Sequence, residues 1–189
     1  MPYLIKIRGY TLIECLIAVA ILAAVTGFSI PKFLLLRESY ASYQAIRGIA
    51  DGVQAARIAA VKTQSLVTLC PSKTGYECST DWSDGILAFV DLYDNQVPAS
   101  IESILYSAQW TRQQGSMTWR AFRNRPFLQM TPAGHTRYQN GSFTWCANTN
   151  NLTSARRLIL NRTGRMRFAR DYDGDGIRES SPGTPIACS

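Results

Sequence analysis

A run of 21 residues, Tyr10 to Ile30, holds one charged side chain, Glu14, and constrains this chain more than any other feature. As a helix it spans about 32 Å at roughly 1.5 Å per residue. A bilayer core is about 30 Å thick, so the run is long enough to cross once. Lys6 and Arg8 stand before it, and the bias of basic residues toward the cytoplasm leaves the N-terminus inside and the large remainder outside. Glu14 is then a carboxylate in hydrocarbon, which costs roughly a few kcal/mol and marks a functional position by default. The competing readings are an ordinary single-pass anchor and a cleaved secretory signal. Against the latter, a secretory apolar core is shorter, and Glu14 would interrupt it.

Past Pro31 the pattern turns amphipathic. Ile46, Ile49, Ala50, Val53, Ala56 and Ala60 recur at helical spacing, with Arg47, Asp51, Gln54 and Arg57 mostly off that stripe. Proline lacks an N–H and collides with the preceding turn, so a local bend or melt is expected at Pro31.

The run Arg8-Gly9-Tyr10-Thr11-Leu12-Ile13-Glu14 and the apolar stretch behind it resemble the prepilin signature of type IV pilins and type II secretion pseudopilins. Tyr10 stands where the family usually has Phe. The resemblance implies that prepilin peptidase cuts between Gly9 and Tyr10 and methylates the new amino terminus. It makes Glu14 the fifth mature residue, whose carboxylate pairs with a neighbouring subunit's terminal amine during filament assembly. It also puts Pro31 where many pilins carry a helix-kinking proline. The domains expected are a leader over 1–9, a transmembrane segment over 10–30, the amphipathic half of the pilin helix over 31–63 and a periplasmic β domain over 64–189. The fold class is α+β, a long N-terminal transmembrane helix packed on a small, mostly antiparallel, disulfide-bonded β domain.

From about Ser65 the chain reads as strands. Candidates are Ser65–Leu69, Ile86–Val90, Met117–Phe122, Phe143–Cys146, Arg157–Leu160 and Arg165–Ala169, separated by turn-forming clusters such as Pro71–Gly75 and Pro132–Gly134. Asn140-Gly141 before an alternating strand signals a hairpin. Cys15 lies in the apolar run. The other four cysteines are an even number in an oxidising compartment. Of three possible pairings we favour Cys70–Cys78, which closes a short loop, and Cys146–Cys188, which ties down the C-terminal tail. Zinc is disfavoured, because the spacings are not paired CxxC and His135 is the only histidine.

The net charge of +7 is unevenly placed. Residues 1–102 carry eight Lys/Arg against nine Asp/Glu, whereas Ser103 to Arg170 holds eleven arginines, no lysine and no acid. The last nineteen residues reverse this, with four acids against Arg178. Arg112, Arg120, Arg123 and Arg125 are interleaved with Trp110, Trp119, Phe122 and Phe127; Arg156, Arg157, Arg162, Arg165, Arg167 and Arg170 form a second group. The planar guanidinium fork makes bidentate phosphate contacts and stacks on bases, so a basic surface with nearby aromatics suits a nucleic-acid binder. A solvated basic face, or one docked on acidic neighbours in a filament, is the plainer account.

The Cys70-Pro-Ser-Lys…Cys78 loop, Gly85-Ile-Leu-Ala-Phe-Val-Asp91 and Thr163-Gly164-Arg165-Met166-Arg167 are similar to the GspH/FimT family of minor pilins. Gly164-Arg165-Met166-Arg167 matches the GRxR motif of FimT-type pilins, which bind DNA for uptake in natural transformation. The resemblance implies that Arg165 and Arg167 contact phosphates of double-stranded DNA while Gly164 allows a close turn. Arg162 and Arg170 would extend the patch. In a strand, residues 165 and 167 point to one face. Priming minor pilins of the FimU kind and GspH pseudopilins share the other features, so the alternatives are a structural subunit that primes assembly and a type II secretion pseudopilin. Implied partners are other major and minor pilins, prepilin peptidase and the inner-membrane assembly machinery.

Asp171, Asp173 and Asp175 match the first half of a calcium loop, with Glu179 near the ninth position, but Pro182 stands where the twelfth needs a bidentate acid. A tight Asp/Gly turn is the favoured reading, and no cofactor is expected. Nothing points to catalysis. The chain has no phosphate loop, no zinc signature and no nucleophile with a base, and His135 reads as a loop residue.

Overall fold

The computed structural model describes residues 10–188; the leader, including Gly9, lies outside them. Helix α1 runs Leu12–Thr63, 52 residues, and continues through Pro31. Its start is capped reciprocally. The Thr11 amide donates to Glu14 Oε2 at 2.8 Å, and the Glu14 amide donates to Thr11 Oγ1 at 3.3 Å, the capping-box arrangement. The lone acid of the apolar run therefore serves the helix end as well as standing in the membrane-length segment. That segment is long and apolar enough to cross a bilayer.

The chain divides into two units at Arg37/Glu38. Among the described residues none before Ala41 is buried. The unit from Glu38 onward contains the last part of α1 and two antiparallel four-stranded sheets. The first sheet has the order β3 (Ile104–Gln109), β2 (Gly85–Val90), β1 (Val67–Pro71), β5 (Leu128–Met130). The second has the order β4 (Gly115–Ala121), β6 (Gly141–Ala147), β7 (Arg156–Leu160), β8 (Met166–Phe168). A small hairpin, β9 (Glu179–Ser181) and β10 (Thr184–Pro185), follows.

One core joins the helix to both sheets. Ile46, Ile49, Ala50, Val53, Ala56 and Ala60, the expected stripe, are all buried there. They meet Val67, Leu69, Ile86 and Leu128 of the first sheet and Trp119, Phe143, Trp145 and Leu158 of the second. Each large side chain buried this way contributes roughly 1.5–3 kcal/mol. Trp119 stacks on its cross-strand partner Phe143 at 4.1 Å between ring centroids. Strands β1 and β2 are buried on both faces, because Cys70, Leu87 and Phe89 make a second cluster behind the first sheet. This explains their continuous apolar runs.

All six expected strands exist with shifted ends, and β3, β5, β9 and β10 are additional. The hairpin expected at Asn140-Gly141 is a correction. β6 does pair with β4, but residues 122–140 lie between them, and this long segment leaves the second sheet to supply β5 to the first. Gly141 opens β6 opposite Ala121, where a Cβ would lie 2.1 Å from the Arg120 carbonyl. Its glycine serves close strand approach rather than a two-residue turn. Both favoured disulfides are formed, Cys70–Cys78 and Cys146–Cys188, with Cα atoms 5.6 and 5.7 Å apart.

Candidate functional site

The two-residue alternation of strands sorts the arginines from their neighbours. On β4, Met117 and Trp119 are buried while Thr118 and Arg120 are exposed. On β7, Leu158 and Leu160 are buried, which turns Arg157 and Ile159 to the other face. On β8, Met166 packs against the core and Arg167 is exposed, in register with Ile159. Arg120, Arg157 and Arg167 thus share the outer face of the second sheet.

The same alternation corrects the reading of the interleaved aromatics. Trp119 belongs to the core, and Trp110 packs against it while donating its indole N–H to the Trp82 carbonyl at 3.0 Å. Phe127 is half-buried against the cluster behind the first sheet. Only Phe122 of that group is exposed, at 57%.

Charge segregation along the chain is only partly segregation in space. Arg112 forks onto Asp84 and also meets Asp81 at 2.9 Å. This pairing raises the Arg112 pKa and holds the Asp84 carboxyl below its ordinary range. Arg137 pairs with Asp94 at 2.5 Å, and the hydrogen bond from Arg137, followed by one from Gln129, lowers the Asp94 pKa. Two of the eleven arginines are therefore compensated by carboxylates of the near-neutral segment.

The motif sits on the turn of the β7–β8 hairpin. The Asn161 side chain accepts from the Arg165 amide at 2.9 Å and from Thr163 Oγ1 at 2.8 Å, closing the turn in the manner typical of asparagine. Gly164 has φ +75°, the left-handed region, and a Cβ there would lie 2.9 Å from the Gly134 carbonyl. A glycine is required on both counts. The Thr136 amide and hydroxyl both donate to the Arg162 carbonyl, at 3.1 and 3.0 Å, and tie the turn to the 131–140 loop. Arg165 leaves the turn just before β8, so the strand starts one residue later than expected. Arg165 and Arg167 flank the inward Met166, and both are exposed.

Among the described residues no ion pair engages Arg162, Arg165, Arg167 or Arg170. Arg167 donates to the Ser180 carbonyl at 2.7 Å. Arg157 donates to Ser180 Oγ at 2.6 Å and to Thr144 Oγ1 at 2.8 Å. Burial, with the nearby Arg120 charge second, lowers the Arg157 pKa. Burial, with Arg178 second, pushes Arg156 down to about 10, still a cation at neutral pH. A shallow open groove of about 660 Å³ runs between the second sheet and the β9–β10 hairpin, past Ser142, Arg157, Ile159, Arg162, Arg167 and Ser180. Arg170 stands apart, beyond the far end of β8, where its backbone bridges to Glu179.

The acidic loop follows Arg170. One carboxylate oxygen from each of Asp171, Asp173 and Asp175 lies within 4.8 Å of the others. Those carboxylates accept from the backbone of their own loop: Asp171 from the Gly174 and Gly176 amides at 2.7 and 2.9 Å, Asp175 from the Ile177 amide at 2.7 Å. Glu179 is buried and accepts from the Tyr172 amide. His135 is exposed and its carbonyl closes a turn with Thr131.

Sequence reasoning did not single out Tyr138, Asn140 or Ser180. The Asn140-Gly141 signal marks a turn and not a binding position, and the fold brings all three to the arginines from the 131–140 loop and from β9.

Comparison with known proteins follows the same lines. Residues 45–164 match the family model of the type II transport protein GspH, and residues 5–30 match the prokaryotic N-terminal methylation motif. No curated protein sequence matches. The fold is similar to that of the type IV minor pilin FimU of Pseudomonas aeruginosa in two crystal forms. One gives 18% identity and a TM-score of 0.50 over 67% of this chain and 90% of that one. The other gives 19% identity and 0.51 over 66% and 85%. The minor pseudopilin EpsH of the Vibrio cholerae type 2 secretion system gives 8% identity and 0.49 over 68% and 94%. With more than half of its residues inside the GspH model and a methylation motif ahead of them, the chain belongs to the GspH family of minor pilins and pseudopilins, structural subunits rather than enzymes.

Proposed function

We propose that this minor pilin captures double-stranded DNA at the arginine-bearing face of its second sheet, for uptake in natural transformation. The observation that carries this reading is the grouping of Arg120, Arg157, Arg162, Arg165 and Arg167 at one sheet face and its hairpin turn, with no acid anywhere from Ser103 to Arg170. Each guanidinium has five N–H donors. Ser180 and Thr144 take two from Arg157, and Ser180 takes one from Arg167, which leaves the remaining donors of these two, with those of the exposed Arg162 and Arg165, for phosphate oxygens. Contacts of this kind fix position without reading sequence, so binding is weak per site and falls with salt.

The rest of the chain supplies delivery. Prepilin peptidase cuts between Gly9 and Tyr10 and methylates Tyr10. The N-terminus faces the cytoplasm and the β domain the periplasm, with Pro31 giving the helix a local bend. On entry into the pilus, Glu14 exchanges part of its cap on Thr11 for a neighbour's terminal amine, since a buried charge needs a partner. Pilus retraction then draws bound DNA inward.

The likeness to FimU and the match to a type II transport protein favour a second reading, a structural subunit whose basic face meets other pilins. An Arg165→Gln/Arg167→Gln variant in piliated cells separates the two. DNA capture predicts normal piliation with DNA uptake lost. Lost piliation, or unchanged uptake, contradicts it.

A further inference from the structure

Beside the sheet face lies an open cleft of about 600 Å³ lined by Phe122, Arg123, Tyr138, Asn140 and Arg162. Its two rings are exposed, Phe122 at 57% and Tyr138 at 70%. Each carries a guanidinium over its face, Arg123 at 5.6 Å from the Phe122 centroid and Arg162 at 5.8 Å from the Tyr138 centroid. The Asn140 side chain makes no hydrogen bond among the described residues and can serve as donor and acceptor together.

The backbone here is held against its own preference. Arg123 and Tyr138 have positive φ, at 63° and 60°, a region disfavoured for such side chains, while Asn124 between them in the chain tolerates its φ of 51°. The two segments are stitched by the Phe122 amide donating to the Asn140 carbonyl at 2.9 Å. Strain of this kind clusters where surrounding structure fixes a functional geometry. Asp94 is occupied by Arg137, and its field also reaches Arg125.

We propose that this cleft stacks an unpaired nucleobase, so that the protein holds single-stranded DNA as well as duplex. A π face beside a cation suits a base between an aromatic ring and arginine. An apolar side chain of a neighbouring pilin would instead desolvate two guanidiniums without neutralising either. Arg162 is shared with the groove that holds Arg157 and Arg167, so a strand with one base in the cleft continues along the same arginines. The inference rests on the DNA reading above and adds to it a site for bases.

The test uses the full chain in neutral detergent, with a labelled 20-nucleotide oligo-dT and a 20-base-pair duplex as probes, and compares wild type, Phe122→Ala/Tyr138→Ala, Phe122→Trp and Arg165→Gln/Arg167→Gln. Loss of one stacked base should weaken oligo-dT binding roughly five- to 150-fold, with an unchanged salt slope and less than about twofold effect on duplex. Phe122→Trp should retain binding and show indole quenching by oligo-dT. The arginine variant should weaken both probes and flatten both slopes. Equal losses on the two probes, or none on oligo-dT, overturn the stacking site while duplex binding stands. Absence of binding to either probe by wild type overturns both readings. Normal DNA binding by Phe122→Ala/Tyr138→Ala with failed incorporation into pili would assign the cleft to a neighbouring subunit and overturn the proposal.

Discussion

Replacing Gly164 by alanine tests the turn that presents Arg162 and Arg165, and the structure gives two separable contributions to its effect. The first is backbone strain. At φ +75° an L-residue costs roughly 1–2 kcal/mol. The second is collision. The new Cβ would stand 2.9 Å from the Gly134 carbonyl oxygen, a backbone atom. Gly134 has little room to retreat, since it is itself at φ +73° with Val61 and Arg57 behind it. Overpacking of this sort costs about 1–3 kcal/mol, so Gly164→Ala should lose roughly 2–5 kcal/mol in all. Gly174→Ala is the matched control, because Gly174 has φ +82° with nothing within 4 Å of its would-be Cβ; it should lose only the strain, about 1–2 kcal/mol. Urea unfolding of the Glu38–Ser189 unit, which contains every buried residue described, measures both. If the two variants agree to within about 0.5 kcal/mol, the tight approach of the turn to the 131–140 loop is wrong.

The disulfides should rank by loop length. Opening Cys146–Cys188, with a separation of 42 residues, should cost about 4 kcal/mol, and opening Cys70–Cys78, with a separation of 8, about 2.5 kcal/mol; paired Cys→Ser variants in urea would reveal a reversed order. Asp84 should make stability acid-sensitive. Its carboxyl is held low by Arg112, so its contribution is complete above its unfolded value near pH 4 and is lost as pH falls through the lowered folded value. Unfolding midpoints between pH 5 and 2 should fall less steeply in Asp84→Asn than in wild type.

What the sequence revealed depended on how local each signal was. The apolar run, the helical stripe from Ile46 to Ala60 and the short Cys70–Cys78 loop are written in neighbouring residues, and all appear in the structure as read. β3 escaped notice because Ser107, Ala108 and Gln109 are poor strand formers that the first sheet recruits by pairing with β2. β5 is three residues long and follows Pro126, and its partner β1 lies some sixty residues away in the chain. The arginine face was half legible. Period-two alternation on β4 and β7 predicts Arg120 and Arg157 outward, and it equally predicts Trp119 inward, which the interleaving of Arg with aromatics obscured. The neutralisation of Arg112 by Asp81 and Asp84, and of Arg137 by Asp94, joins distant segments, so no window on the sequence contains it. Tyr138 was invisible for the same reason, as it reaches Arg162 only because Thr136 ties its loop to the hairpin turn.

The most direct test of DNA capture is the salt dependence of duplex binding by the Glu38–Ser189 unit, measured for wild type and for Arg165→Gln/Arg167→Gln. If the two exposed arginines neutralise two phosphates, the variant should bind more weakly and its slope of log K against log salt should be flatter by about 1.8. Parallel slopes, or no wild-type binding at low salt, would contradict the account and leave an assembly subunit in its place.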